Sequence, residues 1–430
     1  MKRLLIALAI IIALITYFLM PVYQFYAHRH EAPMLGASYI HVPNSGPTDS
    51  IVFDEDFVTQ GELAVAQIES HRRGINSPGI SAAVAINGKL VWAGASGWAD
   101  IEREVPMTTR SVFRIGSTSK ALTSALLARL VDKNALTLDT PISTYPVGQL
   151  NPKWQNITPR QLASHMAGIP HYGENTEFDG LYRSISLNTH YTNVADATRL
   201  FDESELLFSP GEAFSYSSLG TVLLSAVMQE STNTQFQYAM RKEVLQPLGM
   251  QHTYAQEESN SDNSLAENLV TFYWHKDDKG ELVKPWRDVD LSHRLAGGGF
   301  ISTSSDLVRL GIGFNSNNFV SASTRSAFWT PQTLNDGQVN EQGYAIGWRV
   351  RESDFGEGIG RLFQANHGGV SRGAQSWLMV IPDYNMAVAV NINAKTEHFW
   401  DFGSVSFDIA SLFLRHHIES IQQAKLLTGA

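Results

Sequence analysis

Apolar positions along this chain fall into four patterns, each predicting a different kind of element. From Leu4 to Met20 no charged residue interrupts an apolar run that follows Lys2 and Arg3. That run exceeds a signal-peptide core of roughly 7–15 residues and approaches the roughly 20 needed to cross a bilayer. Residues 1–21 are therefore expected to be an N-terminal membrane anchor or uncleaved signal. Lys2 and Arg3 outweigh Arg29 beyond the run, so the amino terminus is expected on the cytoplasmic side and the body outside it. Neither Phe25-Tyr26-Ala27 nor Leu35-Gly36-Ala37 makes a convincing cleavage site.

Residues 22–57 combine Pro33, Pro43, Gly46 and Pro47 with polar neighbours and no sustained period, and are expected to be a tether. A folded body is expected over 58–430. Leu63, Val65, Ala66 and Ile68 carry helical spacing that ends near Gly74. Apolar runs at 80–86 and 90–95 flank Asn87-Gly88, a strong hairpin signal. Helical patterns dominate about 121–295, as in Ala121–Val131 and Gly220–Val227. Strand patterns return at 375–381 and 386–391 across Pro382-Asp383-Tyr384-Asn385, and Ile409, Leu412, Phe413, Ile418 and Ile421 mark a last amphipathic helix. Strands at both ends with helices between them predict an α+β fold, one antiparallel sheet flanked by helices with an inserted mainly helical subdomain.

Composition narrows the function classes. The 430 residues are 43% apolar, carry a formal charge of −10 and contain no cysteine. Disulfides, cysteine-ligated metals and cysteine nucleophiles are excluded. An acidic chain without Lys/Arg runs argues against nucleic acid as a partner. His28-Arg29-His30 and His416-His417 lack the spacing of a metalloprotease site, and no metal or other cofactor is expected.

The chemistry centres on Arg114-Ile115-Gly116-Ser117-Thr118-Ser119-Lys120, which sets Ser117 and Lys120 one turn apart at the head of a helix. A first-turn hydroxyl feels unsatisfied N–H groups and the positive end of the helix dipole, and a buried lysine can lose its proton near neutrality. By itself the spacing leaves a helix cap and a catalytic pair both open. Tyr216 and Ser218 precede another helix, where a loop tyrosine could relay a proton. Ala296-Gly297-Gly298 forms a turn without a phosphate-loop pattern, and His367-Gly368-Gly369 stands before a strand. Gly369-Val370-Ser371-Arg372-Gly373 matches a nucleophile elbow, but strand-like residues follow it where that motif needs a helix.

Taken in order, Phe113–Lys120, Leu162–Pro170, Phe208–Glu212 with Tyr216-Ser217-Ser218, Ala296-Gly297-Gly298, Tyr344–Trp348 and His367-Gly368-Gly369 resemble the serine β-lactamase-like superfamily of class C β-lactamases, DD-peptidases, esterases and D-aminopeptidases. The resemblance covers most of 60–415. It implies Ser117 as nucleophile, Lys120 as its deprotonating partner and Tyr216 as a second proton-transfer group. Ser218, His367, Gly368, Gly369 and Val370 would contact substrate, with the Val370 N–H in an oxyanion hole. Two departures stand out: Ser218 replaces the family's Asn after the tyrosine, and His367-Gly368 replaces the Lys-Thr of class C β-lactamases. Both shift the expectation from β-lactam hydrolysis toward a peptidase or esterase acting on a small molecule or peptide, tethered on the extracytoplasmic (periplasmic) side. The alternative is a non-catalytic binding or scaffolding protein on the same fold.

Overall fold

The computed structural model describes residues 2–28, 31–34, 38–148, 150–256, 258, 267–277 and 280–428. Arg29, His30 and 35–37 lie outside them. Helix α1 (Lys2–His28) runs through Pro21, and its apolar side chains from Leu4 to Leu19 are exposed. The segment expected to be a tether instead supplies β1 (Ile40–His41) and β2 (Thr48–Val52). Thr48–Val52 lacks an apolar run because, as an edge strand, it pairs only with β4 and leaves one side to solvent.

After α2 (Val58–Gly74) come β3 (Gly79–Ile86) and β4 (Lys89–Asp100), joined by Asn87 and Gly88 at φ +53° and +77°. This is the left-handed pair that a tight two-residue hairpin requires. Short strands β5 (Val105–Pro106) and β6 (Phe113–Arg114) lead to α3 (Ser119–Asp132). Helices α4 (Pro159–Ala163), α5 (Phe178–Ser186), α6 (Val194–Ala197), α7 (Ser218–Thr232) and α8 (Phe236–Met240) follow. The last part of the expected helical segment differs, forming β7 (Tyr254–Ala255), β8 (Tyr273–His275) and β9 (Leu282–Pro285). Strand β10 (Phe300–Ser302), α9 (Ser304–Phe314) and α10 (Ala322–Phe328) come next. The chain closes with β11 (Arg349–Asp354), β12 (Arg361–Ser371), β13 (Ala374–Ile381), β14 (Met386–Ile392), α11 (Phe399–Gly403) and α12 (Val405–Thr428).

The main sheet is antiparallel in the order β11-β12-β13-β14-β3-β4-β2, with β5 on the edge of β4. Register Val84↔Val388 joins the first and last thirds of the chain. Side-chain alternation divides the strands between two cores. Ile80, Ala82, Val84, Val388 and Val390 face Ile68, Ile409 and Phe413 of α2 and α12. Ala83, Ala85, Ala387 and Ala389 face the opposite side, with Leu307 and Val308 of α9 and the helical subdomain. Small side chains on that face let α9 approach closely: a Cβ at Gly311 would sit 2.8 Å from the Ala387 methyl carbon. With both faces covered, the strands read as near-continuous apolar runs although the sheet is antiparallel.

Candidate active site

Gly116-Ser117-Thr118 forms one 3-10 turn that runs directly into α3, so Ser117 stands just ahead of the α-helix. Every residue from Ser111 to Ala128 is buried except Ser117, which is half-exposed. Gly116 takes φ +51°, and a Cβ there would lie 2.6 Å from the Val370 carbonyl oxygen. A Cβ at Gly369 would lie 1.9 Å from the Ile115 carbonyl oxygen. These two glycines are what allow β12 to lie against the Ser117 turn. The His367-Gly368-Gly369 segment, expected before a strand, is itself the end of β12, because glycine backbone keeps its ladder with β13 (Gly369↔Ser376).

Lys120 is 2% exposed. Its Nζ donates to Ser218 Oγ at 2.9 Å and to the Gly297 carbonyl at 2.7 Å, and lies 3.4 Å from Ser117 Oγ. Burial, with smaller contributions from the Arg349 and Arg294 charges, lowers its pKa to about 7. Two neutral acceptors hold the amine in place without the carboxylate that would keep it charged. Thr123 Oγ1 to the Ala296 carbonyl (2.7 Å) and Ser124 Oγ to the Ile346 carbonyl (2.6 Å) fasten the glycine turn and the Tyr344–Trp348 segment to α3.

Tyr216 is half-exposed, its ring centroid 4.8 Å from Lys120 Nζ. Burial of its hydroxyl raises the pKa, opposed more weakly by Arg349 and a hydrogen bond with Ser117. It is therefore a protonated phenol at neutral pH. Two histidines position its loop: His165 Nδ1 accepts from the Ser217 N–H (3.2 Å) and His171 Nδ1 from the Ser218 N–H (3.1 Å). Desolvation holds His165 well below its usual pKa and His171 down to about 4, so both stay neutral acceptors. His165 adopts φ +62° to reach this position.

His367 is buried. Its Nδ1 bonds the Gly368 carbonyl at 2.8 Å and its Nε2 lies 2.8 Å from the Tyr344 hydroxyl. A carbonyl at Nδ1 requires the proton there, so Nε2 accepts from Tyr344. Desolvation, with Arg349 and Lys120 nearby, keeps the ring neutral. Val370 is 45% exposed beside the Ser117 turn. The structure thus brings Ser117, Lys120, Tyr216, Ser218 and the 367–370 strand end together, and adds residues that sequence reasoning had given no role. The Gly297 carbonyl, His165 and Tyr344 lay within motifs already singled out, and His171 directly follows one of them. Arg349, whose guanidinium lies 5.4 Å from the Tyr216 ring and 5.3 Å from that of Tyr344, carried no signal. Among the described residues no cluster of His, Asp and Glu is arranged to hold a metal.

The 3-10 turn carrying Ser117, the glycine-bearing end of β12 and the helical subdomain meet around Lys120 and Tyr216. The β-lactamase family model matches residues 65–402, and the chain belongs to that family. It is similar to the mitochondrial serine β-lactamase-like protein LACTB of Homo sapiens, at 28% identity over 72% of this chain and 70% of that protein. Its fold is shared with the octameric penicillin-binding protein homologue from Pyrococcus abyssi (TM-score 0.65, 23% identity, 82% of this chain and 77% of that one). The D-amino acid amidase from Ochrobactrum anthropi has the same fold (TM-score 0.66, 20% identity, 84% and 99%).

Proposed function

We propose that this protein is a membrane-tethered extracytoplasmic serine hydrolase that forms an acyl-enzyme on Ser117 from an amide, peptide or ester, with weak or no β-lactamase activity. The observation that carries the reading is the buried, carboxylate-free Lys120 amine beside Ser117 Oγ. Neutral Lys120 takes the Ser117 proton as Oγ attacks the substrate carbonyl. Oxyanion charge then develops between the N–H groups of Ser117 and Val370, where fixed donors act most strongly. Tyr216, protonated at neutral pH, gives its proton to the leaving group and regains one from Lys120. Water then releases the acyl group from Ser117 by the reverse transfers. His367, neutral and engaged with Tyr344, offers no charge to a substrate carboxylate, which supports weak β-lactam turnover.

The exposed apolar helix α1 supports tethering, and the Lys2/Arg3 excess supports an outside body. Intact-mass analysis after fluorophosphonate and, separately, penicillin treatment tests the reading. An adduct present in the wild type and lost in Ser117→Ala is expected. A folded protein that takes up neither reagent would instead favour a binding or scaffolding role.

A further inference from the structure

Beyond Val370 the chain gathers three guanidiniums that the acylation steps do not use. Arg372 follows directly on β12, and the Arg114 guanidinium anchors its turn by donating to the Arg372 carbonyl at 2.8 Å. The Arg372 guanidinium lies 5.8 Å from the Trp286 ring, and its buried Nε has no hydrogen-bond partner. Arg294 stacks 4.2 Å over Tyr172 and donates one N–H to the Ser184 carbonyl at 3.0 Å. Arg287 donates to the Ser186 carbonyl at 2.6 Å. Both arginines thus reach the C-terminal carbonyls of α5, which compensate only part of their charge.

The three charges repel one another. Burial, then Arg294 and Arg287, bring Arg372 down to about 9. Among the described residues, none of the three has a carboxylate within ion-pair distance, in a chain with 42 acidic and 32 basic residues. Arg372 lines a cavity of about 700 Å³ together with Val370, Lys395 and the acidic residues Glu31, Asp277, Glu397 and Asp401. Buried cations are ordinarily paired, and a set of neighbouring unpaired guanidiniums, one of them at a cavity wall, marks a place for an anion.

Position along β12 indicates which part of a substrate would meet them. Tyr216, Tyr344 and Arg349 gather at the His367 end of the strand, where a leaving group would receive its proton. Arg372 lies at the other end, two residues or about 7 Å beyond Val370. We propose that Arg287, Arg294 and Arg372 form a subsite for an anionic group, carboxylate or phosphate, on the acyl half of the substrate. Guanidinium forks match either group by paired N–H donors. This inference rests on Ser117 being the reacting centre.

The test uses the full-length protein in detergent with p-nitrophenyl hexanoate, mono-p-nitrophenyl adipate and the p-nitrophenyl ester of 5-phosphonopentanoate. A kcat/KM at least tenfold higher for one anionic ester than for the neutral one is expected, and which anionic ester wins separates carboxylate from phosphate. The preference should weaken with added salt and fall to within about threefold of unity in Arg372→Gln. Arg287→Gln, at a less buried site, should reduce it in the same direction. Equal rates on the neutral and anionic esters, or a preference that survives both substitutions, would overturn the subsite. If no ester is turned over, the hydrolase reading fails by itself. Calorimetric binding of the same esters to Ser117→Ala then decides the subsite: at least tenfold tighter binding of an anionic ester upholds it, and equal binding refutes it.

Discussion

Lys120 titrating near neutrality gives a prediction with two independent readouts. Its pKa falls from 10.5 to about 7, chiefly through burial. At about 1.4 kcal/mol per pH unit, that difference favours the neutral amine by about 5 kcal/mol. The first readout is the second-order rate of fluorophosphonate labelling at Ser117. The neutral fraction is about 0.1 at pH 6 and about 0.9 at pH 8, so the rate should rise about tenfold across that interval and then level off. The second readout is stability. The unfolded chain keeps this proton up to pH 10.5, whereas the folded protein releases it near 7. Between those values the unfolded state binds more protons, so wild-type stability rises with pH by about 1.4 kcal/mol per unit relative to Lys120→Met. Below pH 7 both states are protonated and the difference is constant at its least favourable value. Denaturant unfolding at pH 7.5 and 9.0 should therefore show the wild type gaining about 2 kcal/mol on Lys120→Met. A labelling rate that climbs only above pH 9, together with a pH-independent stability difference, would refute the reasoning that burial unloads this amine.

Tyr216→Phe removes the donor to the leaving group, and kcat on an amide or ester should drop by about 10²–10⁴ while the protein stays folded by circular dichroism. Gly369→Ala places a Cβ 1.9 Å from the Ile115 carbonyl oxygen and 2.8 Å from the Thr118 nitrogen. Moving β12 off the Ser117 turn by about 1 Å should cost about 100-fold in labelling rate, and an unchanged rate would show that the close approach is not needed. Tyr344→Phe leaves His367 Nε2 buried without its 2.8 Å partner. Chemical denaturation should register a loss of about 1–3 kcal/mol.

Local chemistry wrote much of this protein into its sequence. Asn87-Gly88 specified a hairpin because few residues besides Asn and Gly enter two successive left-handed positions readily. The apolar run after Lys2-Arg3 specified a long exposed helix. The nearness of Ser117 to Lys120 was legible because a three-residue spacing sets them on one face, while the spacing itself left a cap and a catalytic pair both open. Strand β2 was not: an edge strand buries too little of Thr48–Val52 to leave a period, and its place depends on β4, reached through α2 and β3.

The ionisation states also lay beyond the sequence. A lysine's proton depends on whether its acceptors carry charge, and here they are the Ser218 hydroxyl and the Gly297 carbonyl, 98 and 177 residues away. Likewise, His367 reads in the chain as a partly charged, and so weaker, ligand for a substrate carboxylate. Packing makes it a neutral acceptor for Tyr344, because desolvation of an enclosed ring outweighs its basicity. Arg287, Arg294 and Arg372 look like ordinary surface cations until folding stacks two of them on aromatic rings and, among the described residues, gives none of them a counter-ion. Spacing along the chain determined which groups share a local element. Only tertiary contact decided which of them lose water, and with it their protonation and their partners.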